Sequence, residues 1–283
     1  MLTVPVPPRF RMTAAPLVQA LVQVQFPIVT GLQSLDGAAA VQAALGARFP
    51  YLRQNVVQQM SLMVGPAGPA APQTSQDIVH ELTSDDGWNL TLTVSSATLS
   101  VGEAYRGLAD FAERFHEVCE ALVGTARVGG CDRLGVRYLD VVEIDDAEGW
   151  QTWFQPQIVG VGAPELTGNE LVSSLTETRL RKQPEGPFAT LPTPIEGVLR
   201  HGVAPAGSVL AGVPPRPLTQ RTFLLDLDTF AVFGPTPQTF DPDRLTEQFR
   251  VLHSEIERVF HWAVTEQGRE HFGYELVEED AAA

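Results

Sequence analysis

The order of elements along the chain predicts an α+β protein of two similar halves. Each half runs strand, helix, antiparallel strands, long helix, with the helices packed on one face of a curved antiparallel sheet. Three observations carry this expectation. Short segments of period-2 alternation recur between turn residues. Two long helical stripes close the two series, one between Leu108 and Leu122 and one between Leu245 and Ala263. The matching strands keep a constant spacing, Leu17 standing to Leu134 as Gln54 stands to Leu171. The expected divisions are an N-terminal extension over 1–14, a first half over 15–128, a second half over 129–275 and a tail over 276–283.

The first half opens at Pro16 with a strand to Phe26, in which Val18, Val22, Val24 and Phe26 share a face opposite glutamines. Asp36 is the expected cap of an alanine-rich helix ending near Arg48. Strands are expected from Gln54 to Val64 and from Asp77 to Thr83, with the Gly65-Pro66-Ala67-Gly68-Pro69 loop between them. Asp86-Gly87 marks a hairpin turn into Trp88–Val101. The helix from Tyr105 to about Gly124 places Leu108, Phe111, Phe115, Val118, Cys119 and Leu122 on one stripe.

In the second half, Arg133–Ile144 is a strand, and Glu148–Phe154 is read as a short helix ended by Pro156. Strands follow over Leu171–Arg181 and Ile195–His201, separated by a loop at Pro184–Pro194. A proline-rich linker, Ala204–Pro217, precedes the Thr222–Phe233 strand. Asp241-Pro242 opens the last long helix with a cap followed by an N1 proline.

Composition narrows the function classes. Apolar residues are 44% of the chain and charged residues 19%, enough to bury a core. The 34 acidic and 19 basic residues leave a net charge of −15, which opposes contact with phosphate backbones, so no nucleic-acid partner is expected. Apolar runs stay short of the roughly 20 residues that cross a bilayer, so no membrane association is expected. The proline-rich start has no basic-then-apolar signal pattern. Two cysteines, Cys119 and Cys131, cannot form a disulfide framework and suit a reducing compartment. A cytoplasmic location follows as the expectation. Lys182 is the only lysine, and with abundant Ala, Gly and Pro this points to a GC-rich bacterial genome.

Several segments carry a family resemblance. They are Ala15–Pro27, the region around Tyr105, Phe111 and Phe115, the strand Arg133-Leu134-Gly135-Val136-Arg137-Tyr138-Leu139-Asp140, and the aromatic C-terminal helix. Together they resemble a sporadically distributed bacterial family of unknown function over nearly the whole chain. That family usually has Asn where this chain has Asp140, and the resemblance implies no reaction, cofactor or partner.

Candidate chemistry is sparse. His253, Glu257 and His261 lie four apart on one helix, but the pattern lacks the adjacent Glu of a zinc-protease helix, so no metal is expected. Cys119 lies in an apolar stripe and reads as a small buried hydrophobe. Asp226 and Asp228 share one strand face and read as a solvated face, with a cation or shared proton as the alternative. Phosphate-binding glycine loops and a nucleophile elbow are absent, so no catalytic residue and no cofactor are assigned.

The candidate ligand or partner residues are Arg137, Tyr138, Asp140, Arg179 and Arg200, polar groups read as lying within strands. Alternation puts Arg137 with Leu139 and Val141, and Tyr138 with Val136 and Asp140. An arginine in a sheet interior needs a carboxylate, so pairing is the expectation and a ligand-facing arginine the alternative. The expected function is a non-catalytic protein-interaction or assembly module. The alternative is a small-molecule-binding domain resembling helix-grip folds, and an unlisted enzyme ranks third.

Overall fold

The computed structural model describes residues 7, 10–61, 64–65, 68–69, 73–145, 149–160, 171–183, 191–210 and 216–277. Much of the expected N-terminal extension and tail, the 184–190 part of the loop and the 211–215 part of the linker lie outside these residues.

In chain order the strands begin with β1 (Phe10–Met12), β2 (Leu17–Gln25), β3 (Tyr51–Ser61), β4 (Val64–Gly65), β5 (Gly68–Pro69), β6 (Gln73–Thr83), β7 (Trp88–Leu92) and β8 (Ser96–Val101). They continue with β9 (Gly130–Cys131), β10 (Arg133–Glu143), β11 (Ser174–Lys182), β12 (Ile195–Ala204), β13 (Val209–Leu210), β14 (Arg216–Pro217), β15 (Thr222–Val232), β16 (Gln238–Thr239) and β17 (Tyr274–Leu276). The helices are α1 (Leu35–Leu45), α2 (Leu108–Ala121), α3 (Pro156–Val159), α4 (Pro242–Ala263) and α5 (Glu266–His271).

Nine strands form one antiparallel sheet in the order β11-β12-β15-β10-β2-β8-β7-β6-β3. The central pair is β10 and β2, so the Arg133-to-Glu143 strand is flanked on both sides. From that pair each wing runs backward through its own part of the chain. The wings differ in build: the first has five strands and an eleven-residue α1, the second four strands and a four-residue α3. Near the two ends of the described chain, β1 pairs β17, and Phe10 stacks on Tyr274.

Helices α1, α2 and α4 bury their stripes against one sheet face. Ala20, Val22 and Val24 of β2, Leu134 and Val136 of β10, and Leu225 and Leu227 of β15 share a single core with Phe111, Phe115, Phe249 and Ile256. Phe249 meets Phe111 at 5.0 Å and Phe115 at 5.4 Å between ring centres, locking α4 to α2. Val18 departs from the expected face. A register shift opposite Leu139 and Asp140 turns it to the other side, where it joins Leu139, Val141, Leu218 and Leu224 in a small second cluster.

Local chemistry corrects several boundaries. Helix α1 is capped by Ser34, whose hydroxyl accepts from Gly37 N–H at 3.1 Å, while Asp36 sits in the first turn beside the positive helix end. Gly37 is required there because a Cβ would lie 1.9 Å from the Gly31 carbonyl oxygen. Pro156 does not end a helix but starts one, α3; before it, Trp150–Thr152 is a single 3-10 turn. The 204–217 linker contains the β13–β14 pair, and β3 and β6 each extend to eleven residues. Helix α4 begins as expected, Asp241 accepting from Arg244 N–H at 3.0 Å with Pro242 in the first turn.

Candidate functional site

The five candidate residues lie on three strands, β10, β11 and β12, and separate onto the two faces of the sheet. Arg137 lies on the face away from the helices, Tyr138 and Asp140 on the helix face, as the pleat of β10 dictates. They do not form one site.

On the face away from the helices, a chain of ion pairs crosses four strands. Arg137 grips Asp226 with two bonds, Nε to Oδ1 at 2.7 Å and Nη2 to Oδ2 at 2.9 Å. Arg200 donates to the same carboxylate at 3.2 Å and to Glu177 at 2.8 Å. Arg179 donates to Glu177 at 3.1 Å. Register explains the order, since Arg200 stands directly opposite Glu177 on one side and Asp226 on the other.

Burial grades along this chain. The Asp226 side chain is 7% exposed, Arg137 29% and Arg200 30%, while Arg179 is 79% exposed. Arg179 therefore corrects the mid-sheet expectation: among the described residues β11 is an edge strand, and its pair with Glu177 is solvated and screened by water. Asp226 corrects the solvated-face reading, since it is buried between two arginines. The hydrogen bonds from Arg200 and Arg179 hold Glu177 below the usual carboxylate range.

A second pair lies alongside. Arg133 reaches Asp228 at 3.7 Å and Gln23 at 3.3 Å, and its guanidinium covers the Phe230 ring at 4.3 Å. Gly135 makes room for it, because a Cβ there would stand 2.6 Å from Arg133 Nη1. Burial raises the pKa of Asp228, with Arg133 opposing the shift. The Arg-Leu-Gly-Val-Arg stretch thus spends both arginines on the carboxylates of one neighbouring strand.

The helix face carries a buried polar cluster that sequence reasoning missed as a unit. Tyr105 and Tyr138 hydroxyls bond at 2.8 Å, and Tyr105 lies 3.4 Å from Nε2 of His253. His253 Nδ1 stands 3.6 Å from Glu257 on the next turn of α4. Burial drives the His253 pKa down to about 4 and the Tyr105 pKa up to about 12, and pushes Tyr138 well above its ordinary value. At neutral pH the tyrosines and His253 are uncharged, a hydrogen-bonded plug rather than an acid–base pair. The i, i+4 spacing of His253 and Glu257 was legible; the two tyrosines come from a loop and a strand that only tertiary structure joins.

Asp140 is 4% exposed, and among the described residues no hydrogen bond or ion pair reaches it. Burial, reinforced by the nearby Asp226 charge, raises its pKa to about 8. Asp140 is therefore a neutral carboxylic acid at neutral pH.

Open space lies elsewhere. A shallow depression of about 400 Å³ is lined by Gln25, Phe26, Ile28, Ser95, Ser96 and Asp132 and touches neither cluster. Between α4 and the sheet, a gap lined by Leu199, Leu227, Ile256 and Val259 measures about 20 Å³, room for about one water. Among the described residues no group of three His, Cys, Asp or Glu stands close enough to hold a metal ion, and His261 faces Arg269 rather than Glu257. No helix among the described residues is long and apolar enough to cross a membrane. No protein-family model matches the chain, and no curated protein matches it.

Proposed function

We propose that this protein is a non-catalytic protein-interaction or assembly module of a bacterial cytoplasm, docking a protein partner across the charged sheet face that ends at β11. The observation that carries this reading is the use made of the strand arginines. Arg137 and Arg200 converge on the Asp226 carboxylate, a pairing that accounts for both charges without a ligand. Outward from them the chain of charges reaches the surface at Glu177 and Arg179, where an alternating pattern suits electrostatic selection of a partner. The small-molecule alternative has less support, because the gap between α4 and the sheet has room for about one water.

Two further parts of this reading rest on sequence pattern. The wings radiating from β2 and β10 fit descent from a duplicated unit, with the first wing holding one strand more. The resemblance to the sporadic bacterial family also fits Asp140, since the Asn usual there is the neutral isostere that such a buried position favours.

The test is photo-crosslinking in the host cell, with a photoreactive residue replacing Arg179 and, as control, Ile28. The reading expects one protein partner captured at 179 and not at 28, with the yield reduced by Glu177→Arg. No capture at 179, together with a metabolite that raises the melting temperature of the purified protein, would favour the ligand-binding alternative.

A further inference from the structure

Among the described residues the sheet has two edge strands, β11 and β3, and they are built differently. Strand β11 carries Glu177, Arg179, Arg181 and Lys182 within nine residues. Charges of this density keep a sheet edge from pairing with another sheet. Strand β3 carries one charged residue, Arg53, in eleven, with no proline and no bulge in its register with β6. Its other side pairs with no strand among the described residues.

Strand β3 also reaches beyond the sheet. It pairs β6 from Tyr51 to Ser61, but β6 pairs β7 only from His80 to Thr83. Residues 55–61 and 73–79 therefore form a two-stranded ribbon projecting past β7. A two-stranded ribbon is marginal in water unless a third strand or a helix supports it. This one exposes Val56 at 58% and Val57 at 41%.

We propose that β3 is the pairing edge of a symmetric homodimer, two copies of β3 meeting antiparallel about the Val56–Val57 step and joining two nine-stranded sheets into one. The occupant is a second copy because the edge is self-complementary. A chain of net charge −15 repels its own copies, and β3 is a stretch from which acidic residues are missing. The two-fold axis stands perpendicular to the sheet and must pass through a residue position, since a half-step would set helix-side residues opposite outward ones. One of the two valines then faces its own copy. Centred on Val56, the register sets Arg53 opposite residue 59, a glutamine; centred on Val57, opposite residue 61, a serine. Neither register opposes like charges. The contact is one strand edge, smaller than a standard interface, so dissociation in the range of about 1–100 µM is expected. The surface is separate from the face ending at β11, so this inference stands apart from the proposed docking.

Sedimentation velocity of the full chain tests it, beside single cysteine variants. Val56→Cys and Val57→Cys are oxidised separately, Cys119 and Cys131 both being fully buried. Directly opposed residues on antiparallel strands lie about 4.5–5.5 Å apart at Cα, within disulfide reach. One of the two variants should give a disulfide-linked dimer, while Leu175→Cys on the exposed β11 edge should not. The double variant Val56→Lys, Val57→Lys should sediment as a monomer with an unchanged circular dichroism spectrum. A wild-type chain that stays monomeric at about 100 µM, or equal crosslinking at 175, overturns the proposal. The cysteine results decide the matter even if the lysine variant fails to fold.

Discussion

Replacing Asp140 by Asn should stabilise this protein, and the gain should grow with pH. The Asp140 carboxyl has a folded-state pKa of about 8 against an ordinary value of 3.8, raised chiefly by burial and then by the Asp226 charge. Between pH 4 and pH 8 the folded state therefore holds a proton that the unfolded chain has released. Stability falls as pH rises through that window and levels off above it. A difference of about four pKa units corresponds to about 5 kcal/mol, a large share of a typical domain's 5–15 kcal/mol. Asparagine has the shape of the neutral carboxyl and does not titrate. Urea unfolding followed by circular dichroism at pH 5, 7 and 9 measures the effect. Asp140→Asn should exceed the wild type by about 1–2 kcal/mol at pH 5 and by about 5 kcal/mol at pH 9. A variant less stable than wild type at pH 9 would mean that Asp140 is ionised and paired rather than neutral.

Asp226→Asn should cost about 2–4 kcal/mol in the same unfolding assay, because it leaves two half-buried arginines short of their shared carboxylate. Arg179→Ala, at the exposed end of the same chain, should leave the unfolding midpoint unchanged. His80 is fully buried, and neither ring nitrogen has a hydrogen-bond partner among the described residues, so His80→Leu should raise stability by about 1–2 kcal/mol. Cys119 is fully buried and burial raises its pKa, so a thiol reagent should leave it unlabelled in the native protein, while Cys119→Ser should cost about 1–3 kcal/mol. Rapid native labelling would contradict that placement.

What the sequence discloses is what local chemistry controls. Asp241-Pro242 announces the start of α4 because a cap and an N1 proline act within one turn. The strand around Arg137 is legible from alternation, which also divides Arg137 from Tyr138 and Asp140 correctly. Partnerships are not legible in the same way. Asp226 meets Arg137 and Arg200 only because β15 lies between β10 and β12, an order that chain position does not specify. Arg179 reads like Arg137 in sequence but falls on an edge, where the same side chain is solvated. The neutrality of Asp140 comes from the depth of the site, and the Tyr105–Tyr138–His253 cluster from the packing of α4 on β10. Pro156 illustrates the ambiguity of one residue type, since proline serves both after a helix and in its first turn.

If the strand arginines are paired structural groups rather than ligand-binding ones, the melting temperature of Arg137→Ala must show it. The variant removes a bidentate partner from an Asp226 side chain only 7% exposed, a loss of about 2 kcal/mol with Arg200 still in contact. For a chain of this size that corresponds to a fall of about 4–8 °C. A variant that melts within about 1 °C of the wild type would rule out a structural role and make Arg137 a residue kept for binding.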